Sequence, residues 1–353
     1  MEAKKKYALT SETIEFNGFT LHRIKALKNF SSVKSGDLGG WIEKEDNVSQ
    51  IGNAWIGGNA KVYGSAKVYG NARVFGKAKV YGNAKVFGDA QVSGKAEIFT
   101  NAQVYGSAEV NSNAMVYDNA HIYGNAFVYG NANVYDNANV YGNAKVCGTA
   151  KVYGNAKVYD HVTICGNAHV LDNAEIYGES KVHGDAQVYG RARVFGNAVV
   201  FFNAKVYDHA EVYGHAMVCG NAIVEGNAKV TINAEICGNA RVFGNAEVYD
   251  NAEVSGDAII YGNAEVYENA EIWGNAVICG NAKVCNKTDY IIFKNFWSSG
   301  RFFTWTRSNN MWSVGCFYGT GKELIEKAYK DSETSGKEYE RVVKYVDSIL
   351  ADK

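Results

Sequence analysis

Asn59-Ala-Lys-Val-Tyr-Gly64, Ser65-Ala-Lys-Val-Tyr-Gly70 and Asn71-Ala-Arg-Val-Phe-Gly76 are three consecutive copies of one hexad. From Ile56 to Val284 every sixth residue is Val or Ile, 39 times in succession, and Ala stands two positions before each except at Val162 and Ser180. A fixed short period marks a solenoid, whose units are too small to bury their own apolar face and become stable by stacking on neighbours. Within a hexad, Ala60 and Val62 alternate with Lys61 and Tyr63, the period of two that sends one pair inward and the other outward on a short strand. Gly64 and the residue after it, usually Asn, tolerate left-handed backbone, so each strand ends in a sharp corner.

Three strands and three corners predict a triangular coil of three hexads, and residues three hexads apart then share a face. One face carries Tyr63, Tyr81, Phe99, Tyr117, Tyr135 and Tyr153, and the next Tyr69, Phe87, Tyr105, Tyr123, Tyr141 and Tyr159. The third is mixed, with Gly57, Phe75, Ser93, Asn111, Tyr129 and Cys147. The contrast between faces supports three hexads per coil, hence about 13 coils and, at an inter-strand spacing of about 4.8 Å, a rod roughly 60 Å long. No insertion interrupts the hexads to build a pocket, and an Ala/Val interior leaves no room for a ligand.

The repeat predicts three regions: an N-terminal capping segment over 1–50, the hexapeptide-repeat β-helix over 51–286 and a small C-terminal α+β module over 287–353. The caps answer the tendency of open sheet edges to polymerise. Thr13 to Leu27 reads as a β-hairpin turning at Asn17-Gly18. Tyr290 to Tyr318 reads as a three-stranded meander. Capping-box spacings at Thr320-Gly-Lys-Glu323 and Ser335-Gly-Lys-Glu338 predict helices over Lys322–Lys330 and Lys337–Leu350.

His22-Arg-Ile-Lys-Ala-Leu-Lys-Asn-Phe30, Val33-Lys-Ser-Gly-Asp-Leu-Gly-Gly-Trp-Ile-Glu43, Asn47-Val-Ser-Gln50 and Asn53-Ala-Trp-Ile56 resemble the N-terminal signature of YdcK-like hexapeptide-repeat proteins. The resemblance covers Phe19 to Ala60 and thereafter only the generic repeat. It implies an all-β solenoid, a left-handed parallel β-helix of the trimeric LpxA-like acyltransferase superfamily, and a phage or prophage origin. Transferase chemistry implied by fold alone is analogy.

Composition narrows the function classes. Net charge is −1, with 36 Lys+Arg against 37 Asp+Glu, so no basic field points to nucleic acid. No apolar leader or spanning segment is read, which points away from a membrane and to the cytoplasm. The seven Cys are odd in number and scattered, and are expected as thiols, although Cys147/Cys165 and Cys219/Cys237 fall within disulfide reach. Cys147, Cys165 and His183 form a column too extended for one tetrahedral ion, so no metal is expected.

The leading reading is a non-enzymatic scaffold that presents a β-helix face or its C-terminal module to a host or phage protein and uses no cofactor. Its binding residues would be the ladder residues Tyr117, Tyr135, Tyr153, Tyr123, Tyr141 and Tyr159, which also suit a homotrimer interface. In the tail they would be Trp297, Arg301, Trp305, Arg307 and Trp312. The first alternative is an acyltransferase using coenzyme A thioesters, with a general base among His121, His161, His169, His183, His209 and His215, of which His183, His209 and His215 are the named candidates. The second is glycan binding by ring stacking. Gly319-Thr-Gly-Lys322 lacks the spacing of a phosphate loop and is explained by helix capping.

Overall fold

The computed structural model describes residues 5–351, and the chain divides into two units, Met1–Asn197 and Ala198–Lys353. About nine turns of parallel β-solenoid fall in the first unit and about five in the second, giving about 14 turns in all. The hexad rungs are two-residue strands such as Lys61–Val62, and within each unit a rung pairs in register with the one three hexads on, as Lys61 with Lys79 and Val62 with Val80. The amide of one rung donates to a carbonyl of the next coil: Lys61 N to Ala78 O at 2.9 Å, Tyr63 N to Val80 O at 3.1 Å. The Ala and Val/Ile positions are 0–1 % exposed and form the core. Val162 and Ser180, the two departures from Ala, are buried neighbours in one column, and Ser180 Oγ donates to Tyr177 O at 2.9 Å.

In the first unit the stack begins before the hexads do. Leu38–Ile42 pairs parallel with Lys61–Val62, and Val48 bridges Val68, so an extra turn precedes the 13 expected. A hairpin of Tyr7–Phe16 and Phe19–Ala26 covers that turn through antiparallel pairing with Leu38–Ile42. Its turn residues Asn17 and Gly18 both have positive φ, 51° and 80°, as a two-residue hairpin needs. Phe16 and Phe19 pack on Tyr63 together with Leu21 and Trp41. Lys6 is fully buried and its Nζ donates to Ala54 O at 2.8 Å and Gly52 O at 3.4 Å. Burial, with Lys28 nearby, pulls its pKa down to about 8.

In the second unit the last rungs meet a four-stranded antiparallel sheet of Tyr290–Lys294, Phe302–Thr306, Met311–Val314 and Phe317–Gly319. The meander has one strand more than the sequence suggests, because Gly315, with φ 58°, turns the chain after Val314. Val277 N donates to Thr304 Oγ1 at 2.9 Å and Lys283 N to Ser308 Oγ at 2.7 Å, occupying amides that a following coil would otherwise bind. Helices Gly321–Asp331 and Glu333–Ala351 pack on the sheet, the first with the capping box of Thr320 and Glu323. The second starts earlier than the Ser335 box predicts, since Ser332 Oγ accepts from Ser335 N at 3.1 Å and acts as the cap. Gly336 permits the close approach of the two helices, for a Cβ there would lie 2.3 Å from the Tyr329 ring.

The in/out assignment makes neighbouring positions unequal. Val158 is fully buried, whereas Lys157 is exposed and pairs with Glu175 at 2.8 Å. Val158→Asp should cost more than about 4 kcal/mol in thermal or denaturant unfolding, and Lys157→Asp within about 1 kcal/mol. Equal costs would contradict the assignment.

Candidate functional site

Stacking turns each outward position into a column, and the aromatic columns become ring ladders. Tyr69, Phe87, Tyr105, Tyr123, Tyr141, Tyr159, Tyr177 and Phe195 stack with centroids 4.7–5.1 Å apart and planes within 6°. Tyr63, Tyr81, Phe99, Tyr117, Tyr135 and Tyr153 do the same on the other aromatic face. In the second unit Phe243 stacks on Tyr261 and Tyr249 on Tyr267. Glu225 takes a ladder position there, accepting from the Tyr207 hydroxyl and pairing with Arg241 at 2.5 Å.

The ring faces are therefore spent on one another, and the half-buried ladder residues Tyr117, Tyr135, Tyr153, Tyr123, Tyr141 and Tyr159 present edges and hydroxyls to solvent. A sugar or base needs a free ring face to stack, and a continuous ladder interior offers none. The surface is flat and phenolic, suited to contact along an edge.

Corners form ladders too. Asn83, Asn101, Asn119, Asn137, Asn155 and Asn173 link by amide hydrogen bonds of 3.0–3.2 Å. The left-handed residue is the one before the Asn position: Gly at most corners, with φ near 70°, and Asp at others, as at Asp136 (φ 56°) before Asn137 and Asp160 (φ 60°) before His161. Those Asp carboxylates accept an amide of the next coil, Gly154 N to Asp136 at 3.0 Å and Gly178 N to Asp160 at 3.1 Å. Asn is thus chosen for its side-chain amide, a signal carried by the three-hexad spacing and missed when the corner is read for backbone freedom alone.

The histidines occupy ordinary places in this lattice. His161 joins an Asn column through Asn143 at 3.1 Å. His121 and His169 lie edge-on to Tyr105 and Tyr153, and burial lowers the pKa of each. His209 and His215 sit at corner positions, their amides bonded to Gly226 O and Ile232 O, and His183 stands in the mixed column. The structure gathers none of these six into one site.

The cysteine columns differ from the sequence expectation. Cys147–Cys165 and Cys219–Cys237 are disulfide-bonded, each with Cα atoms 4.7 Å apart, because register places identical positions of adjacent coils that close. Cys279, Cys285 and Cys316 are free. Cys219, Glu235 and Cys237 bring possible ligand atoms within 4.8 Å of one another, but the sulfurs are bonded to each other.

In the C-terminal module, Trp305 and Trp312 are 2 % exposed and form the core with Phe303, Leu324 and Val346, so they fill the interior and are not surface contacts. Arg301 and Arg307 are exposed. Trp297 and its neighbour Phe296, which the sequence reading did not single out, are 82 % and 75 % exposed. Their turn is braced from beneath by buried Asn295, whose Oδ1 accepts from Trp297 N at 2.9 Å and Ser298 N at 3.1 Å and whose Nδ2 donates to Ser298 Oγ at 2.9 Å. Lys294 Nζ lies over the Phe296 and Phe302 rings.

With this geometry in view, a family model described as YdcK Beta solenoid repeat matches residues 186–200, the stretch holding rungs Gln187–Val188, Arg193–Val194 and Val199–Val200. No curated protein matches the chain. The match and the parallel coil together support a YdcK-like β-solenoid. No helix among the described residues is long and apolar enough to cross a membrane.

The ladders have a titration signature. Burial first, then neighbouring phenols and carboxylates, push Tyr135 and Tyr159 up to about 12, and burial with Glu265 does the same for Tyr249. A raised folded-state pKa adds stability that is complete below the unfolded value of about 10 and is lost as pH rises through 12. Phenolate absorbance should lag a model tyrosine curve, and unfolding free energy should fall between about pH 10 and 12. Tyrosines ionising near 10 with no loss of stability would contradict the ladder geometry.

Proposed function

We propose that the chain is a non-enzymatic scaffold that holds a protein partner on the Phe296-Trp297 turn of its C-terminal module. The observation that carries this reading is the exposure of those two aromatics on an internally hydrogen-bonded turn, at 75 % and 82 % the most exposed large apolar side chains of the module, while Phe303, Trp305 and Trp312 are core. Large rigid aromatics held in place before binding lose little entropy on contact and are the usual energetic centre of an interface. The solenoid supports this module, and the rings and corner amides of its continuous ladders are engaged within the columns.

The ladder edges on two of three faces suit packing against further copies, and a parallel homotrimer belongs to the proposal. Residence in a host cytoplasm and a phage or prophage origin rest on the YdcK-like resemblance. No cofactor is invoked, and the acyltransferase alternative would need coenzyme A thioesters to bind between subunits.

Affinity purification from the native host should retain a stoichiometric protein with the wild-type chain and lose it with Phe296→Ser/Trp297→Ser, a surface change that leaves thermal stability within about 0.5 kcal/mol. Acetyl-coenzyme A should give no heat in calorimetry. Equal retention by the double variant, or saturable thioester binding, would defeat the reading. Sedimentation should return a trimer mass, and a stable monomer at micromolar concentration would remove the oligomer from it.

A further inference from the structure

The third face contains the place where a ladder is left open. Phe75 is the first aromatic of the mixed column, and its column neighbours are Gly57 on one side and Ser93 on the other. Among the described residues no ring stacks on it, and it is 40 % exposed. Above Gly57 the N-terminal segment closes over as a tight turn, Phe30 and Val33 exchanging hydrogen bonds of 3.0 and 2.9 Å. Arg73 pins that turn by donating to Ser31 Oγ at 2.6 Å. Trp55 forms the side wall, its ring edge-on to Phe30 and Tyr7.

These pieces enclose a cleft of about 220 Å³ lined by Phe75, Gly57, Trp55 and Val33. It adjoins a polar trough of about 340 Å³ formed with Asn53, Asn71, Arg73, Asp89 and Gln91. Trp55 Nε1 lies 3.9 Å from the position a Gly57 Cβ would take and has no hydrogen-bond partner shown among the described residues. Asn53 Nδ2 donates to Asn71 at 3.0 Å and Asn71 Nδ2 to Asp89 Oδ1 at 2.9 Å, leaving Asn53 Oδ1 and Asp89 Oδ2 as acceptors with no protein donor shown.

We propose that this missing rung is a binding site for one neutral hexopyranose ring, its apolar C–H face on Phe75 and its hydroxyls toward Trp55 Nε1, Arg73, Asn53, Gln91 and Asp89. The cleft is smaller than the roughly 300–1,000 Å³ of drug-sized pockets, which limits the occupant to one ring and its substituents. An aromatic side chain from a protein would suit the floor, but its rim has nothing to offer a border of donors and acceptors on every polar side. A sugar ring has both an apolar face and hydroxyls that donate and accept. Arg73 and Asp89 balance in charge, which favours a neutral sugar over an acidic one. The site is independent of the partner assigned to the Phe296-Trp297 turn.

The test is saturation-transfer NMR on the full chain with methyl glycosides of glucose, galactose, mannose and N-acetylglucosamine, and with N-acetyltyrosinamide as the aromatic probe. At least one glycoside should bind with a dissociation constant on the order of 1 mM. Phe75→Ala should weaken it about tenfold or more. Gly57→Phe should abolish it by completing the ladder, and should raise the melting temperature, since a Cβ there meets only ordinary contacts at 3.7 and 3.8 Å. Binding by no glycoside, glycoside binding that survives Gly57→Phe, or binding by N-acetyltyrosinamide alone would overturn the assignment.

Discussion

Everything in this molecule depends on the hydrogen bond from each rung amide to a carbonyl of the coil that follows it in the chain. Repeated along the rungs within each unit, it locks adjacent coils in register and sets a direction: a coil's amides face the coil that follows and its carbonyls the coil that precedes, so the first coil of the first unit leaves carbonyls uncovered and the last coil of the second leaves amides. The two caps answer with opposite chemistry. At the carbonyl end the donors are the Lys6 ammonium to Ala54 and Gly52 and the Asn47 amide to Ala66 at 3.0 Å. At the amide end the acceptors are the Thr304 and Ser308 hydroxyls and the Asp289 carboxylate, which takes Cys285 N at 2.9 Å and Asn286 N at 3.1 Å. A cap that only covered apolar surface would leave these groups unpaired at a cost of roughly 1–3 kcal/mol each.

Register also decides what the surface can do. Because identical positions recur one rung apart, side chains satisfy themselves along the column: rings on rings, amides on amides, and lysines on glutamates, as in Lys79–Glu97 at 2.7 Å and Lys229–Glu247 at 2.8 Å. Such a surface has little chemistry left for others. Aromatic surface is left unstacked where columns are interrupted or end, at Phe75 beside Gly57 and on the Phe296-Trp297 turn, and the two proposed binding sites lie there. The absence of a loop inserted into the hexads does not exclude a cleft, because the N-terminal turn from Phe30 to Val33 builds one against the third face.

The coil was legible because a period of six with Ala and Val in fixed places has few structural solutions, and the columns formed by every third hexad then order the outward residues. The Asn17-Gly18 turn and the Thr320 capping box were legible for the same reason, being local signals with one geometry each. What stayed hidden depends on contacts distant in sequence. The fully buried Lys6 looks like one member of a charged N-terminal run. Ser335 carries the capping-box spacing in sequence, and only the folded chain shows Ser332 accepting from Ser335 N and taking the cap. Trp297, Trp305 and Trp312 look alike in sequence, and only the fold separates the exposed one from the two in the core. Gly57 reads as one weak rung until the turn above it is placed.

Spin labels at Lys67 and Lys157 report the coil most directly, both being exposed and lying in one column of the first unit, five rungs apart through Lys85, Gln103, His121 and Asn139. With the free Cys279, Cys285 and Cys316 replaced by Ser, a dipolar electron-resonance measurement on Lys67→Cys/Lys157→Cys should give a distance centred at about 24 Å, five spacings of about 4.8 Å. A distance of about 36 Å, which a coil of two hexads would give at the same spacing, would contradict the account.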